Sequence, residues 1–453
     1  MDALALPVFV ALPKRFSMRK HVFKVATMTL LLNLALCLSA RAVVSYDRIN
    51  VTSSPYSAIP NDTTADTTQI MAAINAVLPT PTPGPGYLPP TKSIYFPAGT
   101  YIFDGPMTLQ ANTAYRLYGD GPGISTIIFT GTNAGIVATD LRDKTLRIEG
   151  LTLQAGGSGC ATSGTAIKAE FHSDCEPSCG AFLYQTATIR NVEVRGSDRT
   201  NVPANYWGNG ISLKRAQNAV VEDVQIHGYF DFNTDGPNPN IGINWFSTNT
   251  YGATVLFLHN IYVKYYKTAI STSGWTESFR LSEFELFWCG YKNSRAAMEL
   301  TPYNGNGDRA PVSHISDGHI NQISSAIRMT KVNNIKISHV NFLNQEFDGT
   351  HLELHDCSQV MVANNDFHDS GYSQTASNGI YVFSSSTSSF SSGIIMSGNS
   401  FANMSIGTGG GSCVVVEQYS KSIKILDTLF DAAAASHKYA NSAGSETAIR
   451  ELP

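Results

Sequence analysis

Between Ala326 and Asp366 the chain repeats a three-part cycle. Ala326-Ile-Arg-Met is followed by Asn334-Ile-Lys-Ile and Val340-Asn-Phe; after a loop the cycle restarts as His351-Leu-Glu-Leu, Val360-Met-Val and Asn365-Asp-Phe. Each run alternates apolar and polar residues, the period of a strand with one buried face. A pattern of apolar-x-(Asn, Asp, Gly or other)-apolar-x-apolar recurs at Ile148–Leu153, Ile189–Val194, Val221–Ile226, Leu258–Val263, Leu281–Leu286 and Ile337–Phe342. Weaker copies centre on Asp317, Asn364, Gly398 and Asp427. Upstream of most copies lies another short run: Gly210-Ile-Ser-Leu, Gly242-Ile-Asn-Trp, Ala269-Ile-Ser-Thr, Ala297-Met-Glu-Leu, Ala326-Ile-Arg-Met, His351-Leu-Glu-Leu and Gly379-Ile-Tyr-Val. Three short strands every roughly 22–40 residues make a solenoid whose rungs close a core only by stacking. The irregular spacing excludes a sandwich of tight hairpins.

Composition agrees. Of 453 residues, 43% are hydrophobic and 15% charged, enough for a large core. A net charge of -4 gives no reason to expect a nucleic acid or an anionic membrane as partner. At the N-terminus, Arg19, Lys20 and Lys24 precede the apolar run Val25–Leu38 and the A-x-A site Ala40-Arg41-Ala42. This is the pattern of a secretory signal peptide over residues 1–42, too short for a comfortable membrane span. It implies a secreted or periplasmic protein whose mature chain, a single domain over residues 43–453, starts near Val43.

Six of the seven cysteines lie beyond that segment. Cys160, Cys175 and Cys179 cluster in a loop-like stretch, where one disulfide is expected. Cys289, Cys357 and Cys413 fall in or beside strands and read as buried thiols. None has metal-site spacing. Asn50, Asn61 and Asn403 open glycosylation sequons, meaningful only in a glycosylating host.

Asp66 through Leu78 reads as a short amphipathic helix, N-capped by Asp66 and apolar at Ile70, Ala73, Ile74 and Val77. After a Pro/Gly linker come Tyr95-Phe-Pro-Ala-Gly-Thr-Tyr101 and Gly119-Asp-Gly-Pro-Gly-Ile-Ser-Thr-Ile127. These three segments, in this order, resemble the N-terminal module of the pectate lyase superfamily over about residues 60–155. The resemblance implies a right-handed parallel β-helix, an all-β fold with a short N-terminal capping helix. It also implies a polysaccharide-binding groove along the first strand of each rung, walled by the loops that follow the third strand. It does not specify a substrate. Aromatic residues on those loops, Trp207 and Tyr229 among them, become candidates for sugar contact.

Stacking converts sequence position into spatial position. The outward residues of the first strands form a column: Ser212, Asn244, Ser271, Glu299, Arg328, Glu353, Tyr381. The next column contains Lys214, Phe246, Ser273, Thr301, Thr330, His355 and Phe383. Glu299 and Glu353 lie two rungs apart, roughly 9.6 Å between backbones. Carboxylates about 6.5–9.5 Å apart suit inverting glycoside hydrolysis, Arg328 would hold one of them ionised, and His355 would tune the pair. The same residues fit β-elimination on a uronate polymer, assisted by a cation such as calcium, an arrangement that pectate lyases of the superfamily use. They fit equally an ion-pair ladder on an exposed sheet.

Candidate catalytic residues are therefore Glu299, Arg328 and Glu353, and candidate substrate contacts are His355, Asn244, Tyr381, Trp207, Tyr229, Asp231 and Asp235. Asn233-Thr-Asp235-Gly is similar to a polygalacturonase motif, but that family's Asp-Asp, Gly-His-Gly and Arg-Ile-Lys do not follow it. The tetrapeptide is also ordinary turn chemistry. A third-strand column, Glu193, Gln225, Tyr262, Glu285, His319, Asn341 and Asp366, reads as a solvated sheet face. A corner ladder, Asn191, Asp223, Asn260, Asp317, His339 and Asn364, reads as structural. Past Val416 the pattern weakens, and the tail either caps the open coil end or pairs with a second copy.

The sequence thus leads to an exported β-helix that acts on an acidic or neutral polysaccharide, with hydrolysis preferred to elimination because two carboxylates share one face and no cage of stacked Asp is present. The competing class is a non-catalytic carbohydrate-binding surface protein.

Overall fold

In the computed structural model, the inward residues of the first strands stack rung upon rung. Ile211, Ile243, Ile270, Met298, Ile327, Leu352, Ile380 and Val414 occupy one column in parallel register, and all are buried. The structure describes residues 48–77, 92–141, 144–171, 186–197, 205–231, 236–237, 239–248, 252–291, 295–302, 313–344, 349–369, 378–404, 412–431, 438–441 and 449–452. The proposed signal segment, Cys175, Cys179 and Asp235 fall outside them. The strands join in one 29-stranded sheet that coils as a right-handed parallel β-helix.

Each rung presents three faces. The first face comprises Asn209–Lys214, Ile241–Phe246, Thr268–Gly274, Ala296–Pro302, Ser325–Thr330, Thr350–His355, Asn378–Phe383 and Val414–Val416. The second and third faces are two halves of one bent strand in several rungs, as in Ala219–His227, which turns at Asp223. The bend is a single residue in left-handed conformation. Asn191, Asp223, Asn260, Asp317, His339 and Asn364 have φ between 51° and 57°, as does Glu283, the third residue of the Leu281–Leu286 copy, which the corner ladder left out. One such residue turns an extended chain sharply, and Asn and Asp tolerate it best. The side chains then link along the axis: Asn260 Nδ2 donates to Asp223 Oδ1 at 2.7 Å.

Inside, aromatic residues repeat the stacking. Phe342, Phe367, Phe401 and Phe430 lie nearly parallel with centroids 4.7, 4.8 and 5.5 Å apart. Parallel register places equivalent side chains one strand spacing apart, which is stacking distance for rings.

The N-terminal end is covered by helix α1 (Thr67–Asn75), which buries Ile70, Ala73 and Ile74. Asp66 stands at its N-cap but makes no capping bond. Its carboxylate instead accepts from the backbone N–H of Ile59 at 2.8 Å and of Ile102 at 3.4 Å, fastening the helix start to the coil. The two motifs of the N-terminal module meet at Asp120, which accepts from Tyr95 Oη at 2.6 Å and from the Ala98 N–H at 2.8 Å.

Three expectations change. Trp207 is not in a groove wall: it is fully buried, its indole donating to the Leu153 carbonyl at 3.1 Å and packed edge-on against Phe129. The neighbouring Gly208 approaches the Ala161 carbonyl so closely that a Cβ would meet it at 2.6 Å, a tight passage that brings the indole into the core. Burying a large ring whose one N–H is satisfied by backbone is favourable. Tyr229, 6% exposed and tilted against Tyr206, also packs rather than offering an open platform. Cys160 is a buried free thiol donating to the Phe129 carbonyl, so the expected disulfide does not include it. Cys289, Cys357 and Cys413 are buried and free, as their strand positions suggested.

Candidate functional site

The first-face column has the register that stacking requires. Ser212 pairs with Asn244, Asn244 with Ser271, Ser271 with Glu299, Glu299 with Arg328, Arg328 with Glu353 and Glu353 with Tyr381. The strand alternation turns these side chains outward, and the parallel pairing aligns them.

Glu353 is the centre of the cluster. Its Oε2 accepts from Arg328 Nε at 2.7 Å and pairs with His355 Nε2 at 3.2 Å, while its Oε1 accepts from Ser325 Oγ at 2.7 Å and Arg328 Nη2 at 3.3 Å. Four donor atoms on three residues fill the acceptor capacity of a carboxylate. The residue is only 8% exposed. Burial pushes its pKa up, but the hydrogen bonds from His355 and Arg328, the Arg328 charge and the Ser325 hydroxyl outweigh that and hold it at about 2. It is an ionised group locked in place.

That lock fixes the neighbours. Because Glu353 is ionised, His355 Nε2 carries the proton directed at it, and in the neutral imidazole Nδ1 is then the bare nitrogen. Nδ1 has no hydrogen-bond partner among the described residues. The ring is held between Glu353 and the aromatic rings of the next rung, with centroids 5.3 Å from Phe383 and 6.1 Å from Tyr381. Tyr381 directs its hydroxyl at Glu417 Oε1, 3.4 Å away; burial and that carboxylate push the phenol pKa up.

Glu299 sits apart from this cluster. Its Oε2 pairs with Arg295 Nη1 at 3.0 Å and its Oε1 accepts from the Ala296 N–H at 3.3 Å. Arg328 therefore bonds forward to Glu353, and the two carboxylates are held by different arginines. Asn244 lies half-buried on the same column, two rungs before Glu299. Asp231 pairs antiparallel with Gly236. The Asp231 side chain and Asp235 lie outside what is described.

Ser325 and Arg295 escaped the reading of the sequence. Both precede the alternating run, where no periodicity assigns a direction to the side chain. A second group also escaped it. On the third face, Glu193, Gln225, Tyr262, Glu285, His319, Asn341 and Asp366 stack in the expected column. Beside its first rungs the surface hollows into a cleft of about 580 Å³ lined by Gln154, Glu193, Arg195, Tyr206, His227, Lys264 and Tyr265. No group of three or more His, Cys, Asp or Glu is placed to hold a metal ion among the described residues.

Fold and register together define a parallel β-helix protein of the pectate-lyase-like class. Residues 48–289 match the family described as rhamnogalacturonase A/epimerase, pectate lyase-like, and the chain belongs to it. No curated protein matches the sequence. Among solved structures, the A-module of the Azotobacter vinelandii mannuronan C-5 epimerase AlgE4 superposes with a TM-score of 0.53 at 12% identity, over 89% of this chain and 100% of that one. The A-module of AlgE6 from the same organism gives 0.50 at 15% identity, over 89% and 99%. At such identities the likeness is one of fold.

Proposed function

We propose that this protein is an exported polysaccharide-cleaving enzyme whose reaction runs on the first face, with His355 as the proton-transferring group. The observation that carries this is the saturated Glu353 carboxylate. Occupied by four donors, it has no lone pair left to activate water and, held at about 2, no proton to give. Its use is to orient His355 and to stabilise the imidazolium formed when Nδ1 accepts a proton. Arg328 and Ser325 keep it in that role. A pairing this elaborate on an outward column exceeds what solubility needs, because exposed ion pairs contribute little to stability.

Hydrolysis is the preferred chemistry. Hydrolysis by this route has His355 take the proton of the attacking water as its oxygen bonds to the anomeric carbon, while Glu299, two rungs away, is the group that hands a proton to the glycosidic oxygen as that bond breaks. Membership in a rhamnogalacturonase/epimerase family and a fold shared with epimerase modules support a carbohydrate substrate. Elimination on a uronate polymer is the second reading, favoured by Arg328 beside His355: one base and one cation near the substrate carboxylate are its minimum, with calcium as a further charge.

The test incubates the protein with acidic and neutral polysaccharides and follows reducing ends together with the ultraviolet absorbance of unsaturated uronates. Reducing ends alone, lost in His355→Gln and Glu299→Gln, support hydrolysis. Both signals together, lost in His355→Gln but kept in Glu299→Gln, move the reaction to elimination. Silence on every substrate with retained binding to one leaves a carbohydrate-binding protein.

A further inference from the structure

Beyond His355 the first face changes character. In the rungs before it the outward residues of its column are small and hydroxylated: Ser273 pairs with Thr301, and Thr330 pairs with His355. In the rung after it Phe383 pairs with His355 and Tyr381 pairs with Glu353. The column that carries Ser271, Glu299, Arg328 and Glu353 then continues from Tyr381 to Val415. Polar residues thus give way to apolar ones at the rung that follows the cluster.

Tyr381 and Phe383 are successive outward residues of one strand, with Val382 buried between them. Their rings lie parallel to within 9°, with centroids 6.4 Å apart, and both are partly exposed. Each is held in place. The Phe383 carbonyl accepts from Ser391 Oγ at 2.7 Å and from the Asp356 N–H at 3.0 Å. The Tyr381 hydroxyl is directed at Glu417 Oε1. The His355 ring stands at 51° to Phe383 and 53° to Tyr381, so its Nδ1 has an aromatic floor on one side and a hydroxylated floor on the other.

Two large rings left partly open to water favour a ligand that covers them with apolar surface. A pyranose ring offers such a surface. Its C–H bonds form one apolar face whose slight positive charge suits the negative face of an aromatic ring, while its hydroxyls point to polar partners around the rim.

Building on the reading of His355 as the proton-transferring group, we propose that Tyr381 and Phe383 form a sugar-stacking subsite on its C-terminal side. The polymer runs along the coil axis, and the pyranose unit that follows His355 lies on the two rings. Selection there is by the face of the sugar: a unit with an open C–H face fits, and one with an axial group on that face does not.

The experiment is affinity electrophoresis of the protein in native gels that hold polygalacturonate, alginate, xylan or mixed-linkage β-glucan, beside a gel without polysaccharide. The wild type should be retarded in at least one of them. In that gel Phe383→Ala and Tyr381→Ala should each weaken binding by about tenfold. Tyr381→Phe, which keeps the ring and removes the bond to Glu417, should migrate as the wild type does. So should Met361→Ala, which truncates an exposed side chain on the strand Ser358–Ala363. If the retarding polymer is cleaved, Phe383→Ala should raise KM more than it lowers kcat. His355→Gln separates the two readings: if it cleaves at the wild-type rate the catalytic role fails, and the two alanine variants still decide the subsite by retardation. Circular dichroism and the melting temperature check folding; if Phe383→Ala fails to fold, the two Tyr381 variants decide. Absence of retardation in every gel overturns the proposal, as does wild-type retardation of either folded alanine variant, equal loss in Tyr381→Phe and Tyr381→Ala, or a matching loss in Met361→Ala.

Discussion

The first-face cluster and the third-face cleft are made from the same materials on the same coil: carboxylates, cations and a histidine on successive rungs, with tyrosines beside them. They differ in how their polar atoms are satisfied. In the cluster Arg328 makes two bonds to Glu353, Ser325 adds a third and His355 a fourth. In the cleft Arg195 Nε forms a 3.6 Å ion pair with Glu193 and has no hydrogen-bond partner. A cluster closed on itself can rigidify and orient, whereas a looser ion pair with an unmade hydrogen bond constrains its neighbours less. Residue type does not distinguish the two regions; hydrogen-bond completion does.

The largest effect should come from the one atom of the cluster that remains open. His355→Gln is expected to lower the rate of polysaccharide cleavage by on the order of 100- to 10,000-fold, with the melting temperature little changed. An unchanged rate would remove His355 from the chemistry and return the column to an ion-pair ladder.

Next is the lock. Glu353→Gln takes the charged acceptor from the half-buried Arg328 and leaves the hydrogen bonds around a buried position broken, and an expected loss on the order of 2 kcal/mol should appear in urea unfolding. A cost near zero would mean that the cluster is no more built than an ordinary surface pair.

Acid should produce a related loss. The folded pKa of Glu353, about 2, lies below its ordinary value of 4.5. The stabilisation is therefore fully present above 4.5 and disappears as pH falls from 4.5 towards 2. His351, buried against Phe342 and Phe367, has its pKa pushed down to about 3 by burial, with the neighbouring charge of His368 adding to it. It acts in the same direction over a higher window, because the unfolded chain gains its proton near 6.5 while the folded chain does not. Unfolding midpoints measured from pH 7 to pH 3 should fall throughout, and Glu353→Gln should flatten only the lower part of the curve.

The smallest effect is expected at Glu299, whose pairing with the half-exposed Arg295 is a surface contact. Glu299→Gln should cost about 0–1 kcal/mol of stability, so any large loss of activity in that variant reports on chemistry and not on folding. A large loss of stability would erase the contrast with Glu353.

Much of this geometry could be read from the sequence. The column from Ser212 to Tyr381 follows from alternation plus stacking, and so does the third-face column from Glu193 to Asp366. The corner residues were legible for the same reason, since Asn and Asp recur where a left-handed turn is needed; Glu283 was missed because it is a poor residue for that conformation yet adopts φ 51°. Trp207 was misread because a loop has no period and its aromatic residue can face in or out. Arg195, His227 and Lys264 were not singled out because the hollow beside them is made by loops and neighbouring rungs, which no local pattern records.

By itself, then, the sequence determined the coil, its register and which residues share a column, because a period of two fixes the face and in-register stacking fixes the neighbours. Only the tertiary structure decided what those neighbours do to one another. Whether Arg328 bonds to Glu299 or Glu353, whether Trp207 meets solvent or core, and whether a cation on the third face is paired depend on side-chain reach and burial over ångströms, and a one-dimensional period carries no information at that scale.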